Sequence, residues 1–264
     1  MVKGLPILTL ALILGAFWLS SDALARVAWG KYGQANVALA LNRSDTDIFM
    51  QLGNYYFGGG AYDLERAKEA YRSALEIEEG ILWGHYQLAR IYFVEGSFTQ
   101  ALQEINLELE HNPENFRSYY VRGLIYGYRG YYGDLTKAEE DFKRFIETAY
   151  NEWAGYNDLA WILLQEEKYR ETVRVIQKAF EQIPDTQETN PWLWNSLGVA
   201  ELNLQNYAEA RRDFEKALAI AEEMPLAEWQ SAYPGNRRED SEQGFEAFKA
   251  ALQQNLKKTE QGKK

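Results

Sequence analysis

The sequence predicts an all-α solenoid of stacked antiparallel helix pairs, on three observations. First, one local pattern recurs five times: Phe49-x-x-Leu52-Gly53-x-x-Tyr56, His85-x-x-Leu88-Ala89-x-x-Tyr92, Tyr119-x-x-Arg122-Gly123-x-x-Tyr126, Tyr156-x-x-Leu159-Ala160-x-x-Leu163 and Trp194-x-x-Leu197-Gly198-x-x-Glu201. The small residues are 36, 34, 37 and 38 positions apart. A fixed period of this size is the mark of a repeat architecture. Second, each unit is followed by a small-then-bulky pair: Ala67 and Tyr71, Ala101 and Ile105, Ala138 and Phe142, Thr172 and Ile176, Ala210 and Phe214. Third, 264 residues with only 6 Pro and an even spread of Ala, Leu and Glu suit a mostly helical chain.

The elements follow in chain order. Residues 1–21 hold Leu5 to Leu19, fifteen residues without a charge, behind Lys3. A run that is apolar on every side is not an amphipathic core helix. It reads in two ways: a retained membrane anchor through residues 4–20, or a secretory signal cut after Ala23-Leu24-Ala25. In both, the positive start puts the body outside the cytoplasm, as a single-pass membrane protein or as a secreted or periplasmic one. Residues 22–45 are expected to form a capping helix that continues the apolar one without a break. Residues 46–222 are the five repeats. In each, a large apolar residue followed one turn on by Gly or Ala lets two antiparallel helices approach closely, with the bulky residue filling the gap. One pair cannot bury its apolar faces alone, so neighbours must stack. Pro113 and Pro184 fall after second helices, where helical structure must stop. Residues 223–239, with Pro225 and Pro234-Gly235, read as a linker. Residues 240–264 read as a C-terminal cap with Phe245, Phe248, Leu252 and Leu256 on one stripe, an Asp240–Gln243 N-cap pair, and a basic tail.

The five units resemble the tetratricopeptide repeat (TPR), whose W-x2-L-G-x2-Y…A-x3-F…P pattern the fifth unit matches best. The turns of repeats one and three are longer, at Gly58 to Tyr62 and Gly130 to Gly133, and lead into Asp-Leu-x-x-Ala, which is similar to Sel1-like repeats. The resemblance implies a right-handed superhelix whose first helices line a concave groove.

Composition excludes several functions. There is no Cys and there are two His, which removes disulfide scaffolds, thiolate zinc sites and cysteine nucleophiles. A formal charge of −11 argues against a phosphate-binding nucleic-acid surface. Glu108-x-x-His111 has metal-ligand spacing, but a di-iron bundle needs two such motifs and further carboxylates. His85 fills a slot held elsewhere by Phe49, Tyr119, Tyr156 and Trp194, so a packed ring is expected. Gly58-Gly59-Gly60 lacks the Gly-Lys-Ser/Thr of a phosphate loop. The expectation is a chain with no metal, no cofactor and no catalytic residues.

Helical geometry places the residues three before, one after, and four or five after each small residue on the groove. The candidate partner-binding residues are Asn54, Trp83, Tyr86, Arg90, Arg117, Tyr120, Tyr128, Asn157, Trp161 and Asn195. Aromatics and Arg dominate binding hot spots because they bury large rigid area and keep polar handles. Aromatics at helical spacing are also core formers, and about half of the wider set is expected to be largely buried. The function expected is a non-catalytic scaffold that takes a protein or peptide partner in its groove. The alternative is a glycan-binding module in envelope polysaccharide export or assembly, recognisable by exposed coplanar rings beside Asn or Asp.

Overall fold

In the computed structural model the described residues are 21–59, 62–232 and 238–260, and all of their regular structure is helical. The expected membrane segment at 4–20, Gly60-Ala61 and Pro234-Gly235 lie outside them, whereas the expected cleavage site Ala23-Leu24-Ala25 lies within a described helix. Among the described residues no helix is long and apolar enough to cross a membrane. The chain divides into two compact units, residues 1–118 and 119–264.

The first unit opens with helix α1 (21–30) and α2 (Ala35–Leu41). The single capping helix expected over 22–45 is thus two short ones. The break falls at Gly33, whose φ of +62° a residue with a Cβ rarely adopts. Asp22 fastens the far end of this pair by accepting from the backbone N–H groups of Arg43 and Ser44 and from the Ser44 hydroxyl. Then come α3 (Thr46–Asn54) and α4 (Leu64–Ile77), α5 (Gly84–Val94) and α6 (Phe98–His111), each packing on the next. Asp45 and Asp63 start α3 and α4 as N-caps, accepting from the Ile48 and Arg66 N–H groups. Between α3 and α4 the chain makes one wider π-helical turn, Tyr55–Gly59. The longer first turn read in the sequence is therefore partly a continuation of the helix.

Helix α7 (Phe116–Arg129) runs into the second unit, which continues with α8 (Asp134–Thr148), α9 (Trp153–Gln165), α10 (Tyr169–Gln182), the single turn α11 (Thr186–Thr189), α12 (Pro191–Asn203) and α13 (Tyr207–Glu223). Asn190 caps α12 through the Leu193 N–H, with Pro191 in the first helical position. The last elements are α14 (Leu226–Ala232) and α15 (Arg238–Thr259). The expected linker thus contains a helix. Its Trp229 is buried with Phe245 and Leu252 of α15 against Phe214, Ala217 and Ala221 of α13, and Phe248 and Leu256 pack on the same cluster. The stripe read on α15 covers the end of the repeats.

Inside the pairs, close approach is achieved as the pattern requires. A Cβ on Gly53 would come within 2.4 Å of the Tyr71 ring, one on Gly123 within 3.0 Å of Phe142, and one on Gly198 within 2.7 Å of Phe214. Tyr71, Phe142 and Phe214 are completely buried. Repeats two, four and five turn alike: Gly96, Glu167 and Gln205 take positive φ, and the next N–H (Ser97, Lys168, Asn206) donates to a carbonyl five residues back. This is a Schellman ending.

Candidate functional site

The faces presented by the first helices carry the candidate residues, taken here unit by unit. In the first unit Asn54 ends α3 and is exposed, while Tyr86 and Arg90 lie half-buried on α5. The Asn54 side-chain oxygen accepts from the Tyr71 hydroxyl at 2.8 Å and from Gln87 Nε2 at 2.9 Å. Gln87 in turn accepts from Arg90 Nη1 at 2.9 Å through its own oxygen. The Arg90 guanidinium lies over Phe57 at 4.9 Å and Tyr86 at 5.7 Å. It makes no ion pair with a carboxylate among the described residues. A guanidinium held by two rings and an amide is fixed in direction while its charge stays available.

Trp83 precedes α5 with φ +74° and meets Tyr86 edge-on at 4.9 Å. Its backbone N–H donates to Glu108 Oε1 at 3.1 Å, and the Tyr86 N–H donates to Glu108 Oε2 at 3.2 Å. Asn115 Nδ2 adds a third donor at 2.8 Å. Glu108 is fully buried and serves as a cap borrowed from α6 for the start of α5, where the helix dipole favours a negative charge. The Glu108-x-x-His111 spacing therefore belongs to packing, and no group of three potential metal ligands occurs among the described residues. His85 is buried, 2.7 Å from Glu104 Oε2 through Nδ1, with its ring parallel to that of His111. Trp83 also walls a cavity of about 410 Å³ with Leu82, His111, Pro113 and Phe116. Arg117 is exposed, its guanidinium 5.4 Å from the Phe116 ring.

In the second unit, α7 and α9 stand side by side. The Tyr120 hydroxyl donates to Asp158 Oδ2 at 2.7 Å, and its ring rests on Phe145 (4.9 Å) and Phe142 (5.7 Å). Two turns on, Tyr128 meets Trp161 at 5.1 Å. Gly127 makes that contact possible, since a Cβ there would stand 2.6 Å from the Trp161 ring. Asn157 donates to Asp158 Oδ1 at 3.3 Å. Burial pushes the Asp158 carboxyl up to about 6 against the lowering effect of these two donors. Asn195 lies half-buried on α12.

All ten candidates keep part of their surface in solvent, and so do Phe57, Phe93, Leu124, Leu164 and Leu202 beside them. Most of these residues are half-buried, while the fully buried rings Tyr71, Phe142 and Phe214 belong to the pairing pattern, in another register. Two polar residues were missed. Gln87 and Asp158 each lie two positions before a small residue, a register left out of the reading, although Asp158 and Trp161 share a face at helical spacing three apart.

The tetratricopeptide-repeat family model matches residues 191–223, the span of α12 and α13. Human tetratricopeptide repeat protein 13 is 25% identical over 175 residues, covering 64% of this chain and 20% of its own length. The type IV pilus assembly protein PilF of Pseudomonas aeruginosa is 25% identical over 179 residues, covering 68% of this chain and 55% of its own. The chain thus spans about a fifth of the length of the human relative and about half that of the bacterial one. Among solved structures YrrB, described as a TPR protein with an unusual peptide-binding site, superposes with a TM-score of 0.58 at 20% identity over 72% of this chain and 93% of YrrB. These matches support the tetratricopeptide-repeat family and an all-α solenoid of that kind.

Proposed function

We propose that this chain of tetratricopeptide repeats is a non-catalytic scaffold that binds a protein or peptide partner on the faces of its first helices. One observation carries the reading. Residues at the predicted groove positions are incompletely buried, and Arg90 is held over Phe57 and Tyr86 with no carboxylate opposite it among the described residues. An acidic group on a ligand would supply the carboxylate that this guanidinium lacks among the described residues. Arg117, exposed at the start of α7, is another of the candidate partner-binding residues. YrrB is named for a peptide-binding site and PilF for an assembly role, which supports a partner-binding reading without naming the partner.

The apolar run at residues 4–20 is proposed as a membrane tether holding the repeats outside the cytoplasm, or as a signal that exports them. The glycan alternative has less support. Trp153, Trp192 and Trp229 stack face on face at 5.3 and 5.2 Å, so their faces are engaged with one another rather than laid out for sugar rings.

The test is a cross-linking pull-down from native membranes with wild type and a Tyr86→Ala, Arg90→Ala, Tyr120→Ala triple variant, with circular dichroism to establish that the variant is folded. A partner captured by wild type and lost in the variant is expected. Equal capture by both would overturn the reading.

A further inference from the structure

Among the described residues of the second unit, three buried carboxylates are held by cations of the chain and two others are not. Asp134, Glu139 and Asp141, all buried, are paired with cations of the chain: Arg129 at 2.7 Å, Lys168 at 2.6 Å together with Lys143, and Arg122 at 2.8 Å. Asp213, buried on α13, has no such partner among the described residues, and burial together with nearby Glu201 raises its pKa to about 7. Asp158 differs from all of these. It is half-buried on α9 among the candidate residues, and its partners among the described residues are neutral donors, the Tyr120 hydroxyl and the Asn157 amide. No Lys, Arg or His among the described residues lies within ion-pair distance of it.

The surroundings point to what would complete it. Tyr120 and Asp158 form one rung between α7 and α9, and Tyr128 with Trp161 forms the next. The charge of Asp158 reaches Tyr128, whose hydroxyl is held above its ordinary pKa by burial and by that carboxylate. Tyr120 is braced from behind by Phe142 and Phe145, and Trp161 is seated in the gap left by Gly127, so these rings are fixed rather than adaptable. A carboxylate beside aromatic rings attracts a cation by its charge, and a ring face that the cation reaches adds its quadrupole. We propose that Asp158, with Tyr120, Tyr128 and Trp161, forms a recognition site for a basic side chain, lysine or arginine, carried by the partner peptide. The inference rests on the partner-binding reading above and assigns one contact of that surface. It is opposite in sign to the Arg90 site of the first unit.

The experiment uses the full chain and three peptides, acetyl-Ala-Leu-Lys-Leu-Ala-amide and its twins with norleucine or glutamate in the centre. Binding is read from the Trp161 indole N–H signal in nuclear magnetic resonance, assigned with Trp161→Phe. The lysine peptide is expected to shift that signal saturably and to bind at least tenfold more tightly than either twin. Asp158→Asn, which keeps shape and removes charge, is expected to bring the lysine peptide down to the level of the norleucine twin while the spectrum stays folded. Equal binding of the three peptides, lysine preference surviving in Asp158→Asn, or no shift with any peptide would each overturn the proposal. The partner-binding reading falls separately, by unchanged capture in the triple-variant pull-down.

Discussion

Gly198 shows at a single position what a repeat asks of its residues. Alanine there would gain about 1 kcal/mol of helix propensity over glycine, but its Cβ would stand 2.7 Å from a ring atom of Phe214, a side chain with no exposed surface and hence nowhere to move. Overpacking of a core in this way costs about 1–3 kcal/mol. Repeats two and four carry the complementary choice, Ala89 and Ala160 paired in the pattern with Ile105 and Ile176 in place of an aromatic. Gly198→Ala is therefore expected to destabilise the protein by up to about 2 kcal/mol in urea unfolding, and Phe214→Leu in the same background to recover part of that loss. A rise in stability for the single variant would mean that the ring can yield. Glu108 makes the same point with a polar group: spaced like a metal ligand, it is consumed by three donors at the start of α5.

At the scale of elements, charge couples one helix to the next, and two carboxylates do so with opposite sign. Glu139 on α8 is buried, which alone would raise its pKa, but Lys143 and Lys168 overcome this and hold it at about 2 against an ordinary 4.5. Because the folded value is depressed, its contribution is present above pH 4.5 and lost as pH falls toward 2. Asp213 on α13 is raised by burial first and by Glu201 second, to about 7 against an ordinary 3.8. Its folded value is elevated, so the stability it lends is present below pH 3.8 and lost as pH rises through 7. Thermal melts of Glu139→Gln and Asp213→Asn should separate from wild type in opposite directions. The first is expected to be less stable at pH 7 by about 1–2 kcal/mol, a modest figure because both lysines are partly solvated, and to rejoin wild type near pH 2. The second is expected to be more stable at pH 8 by about 2 kcal/mol and to rejoin wild type below pH 4. Parallel curves at every pH would show that neither carboxyl is coupled to folding as described.

At the scale of the molecule, what the sequence made legible was whatever repeats. The five small residues and their bulky partners recur, so their pairing could be read without knowing any contact. What does not recur was hidden: Glu167 and Gln205 occupy a left-handed turn position that Gly96 fills more naturally, Asp158 sits in a register with no common residue type, and α14 was read as linker because Pro225 suggests a break. In fact Pro225 starts that helix, its carbonyl accepting from the N–H groups of Glu228 and Trp229, and Leu226 and Trp229 three apart were the available signal. The consequence concerns the end of the second unit. In a stack where each pair leans on its neighbours, the last pair needs a cover, and α14 with α15 supplies it through Trp229, Phe245, Phe248 and Leu252 over Phe214, Ala217 and Ala221 of α13. Removing residues 226–264 would return that apolar surface to water at about 25 cal/mol per Å² and leave α12 and α13 without their outer partner. Hydrogen exchange of the shortened chain should then show the largest loss of protection in α12 and α13, a smaller loss in α10, and the least in α9, because coupling in such a stack passes from neighbour to neighbour. Uniform loss across these helices would mean that the unit opens as one cooperative body, and unchanged protection in α13 would mean that α15 merely rests upon it.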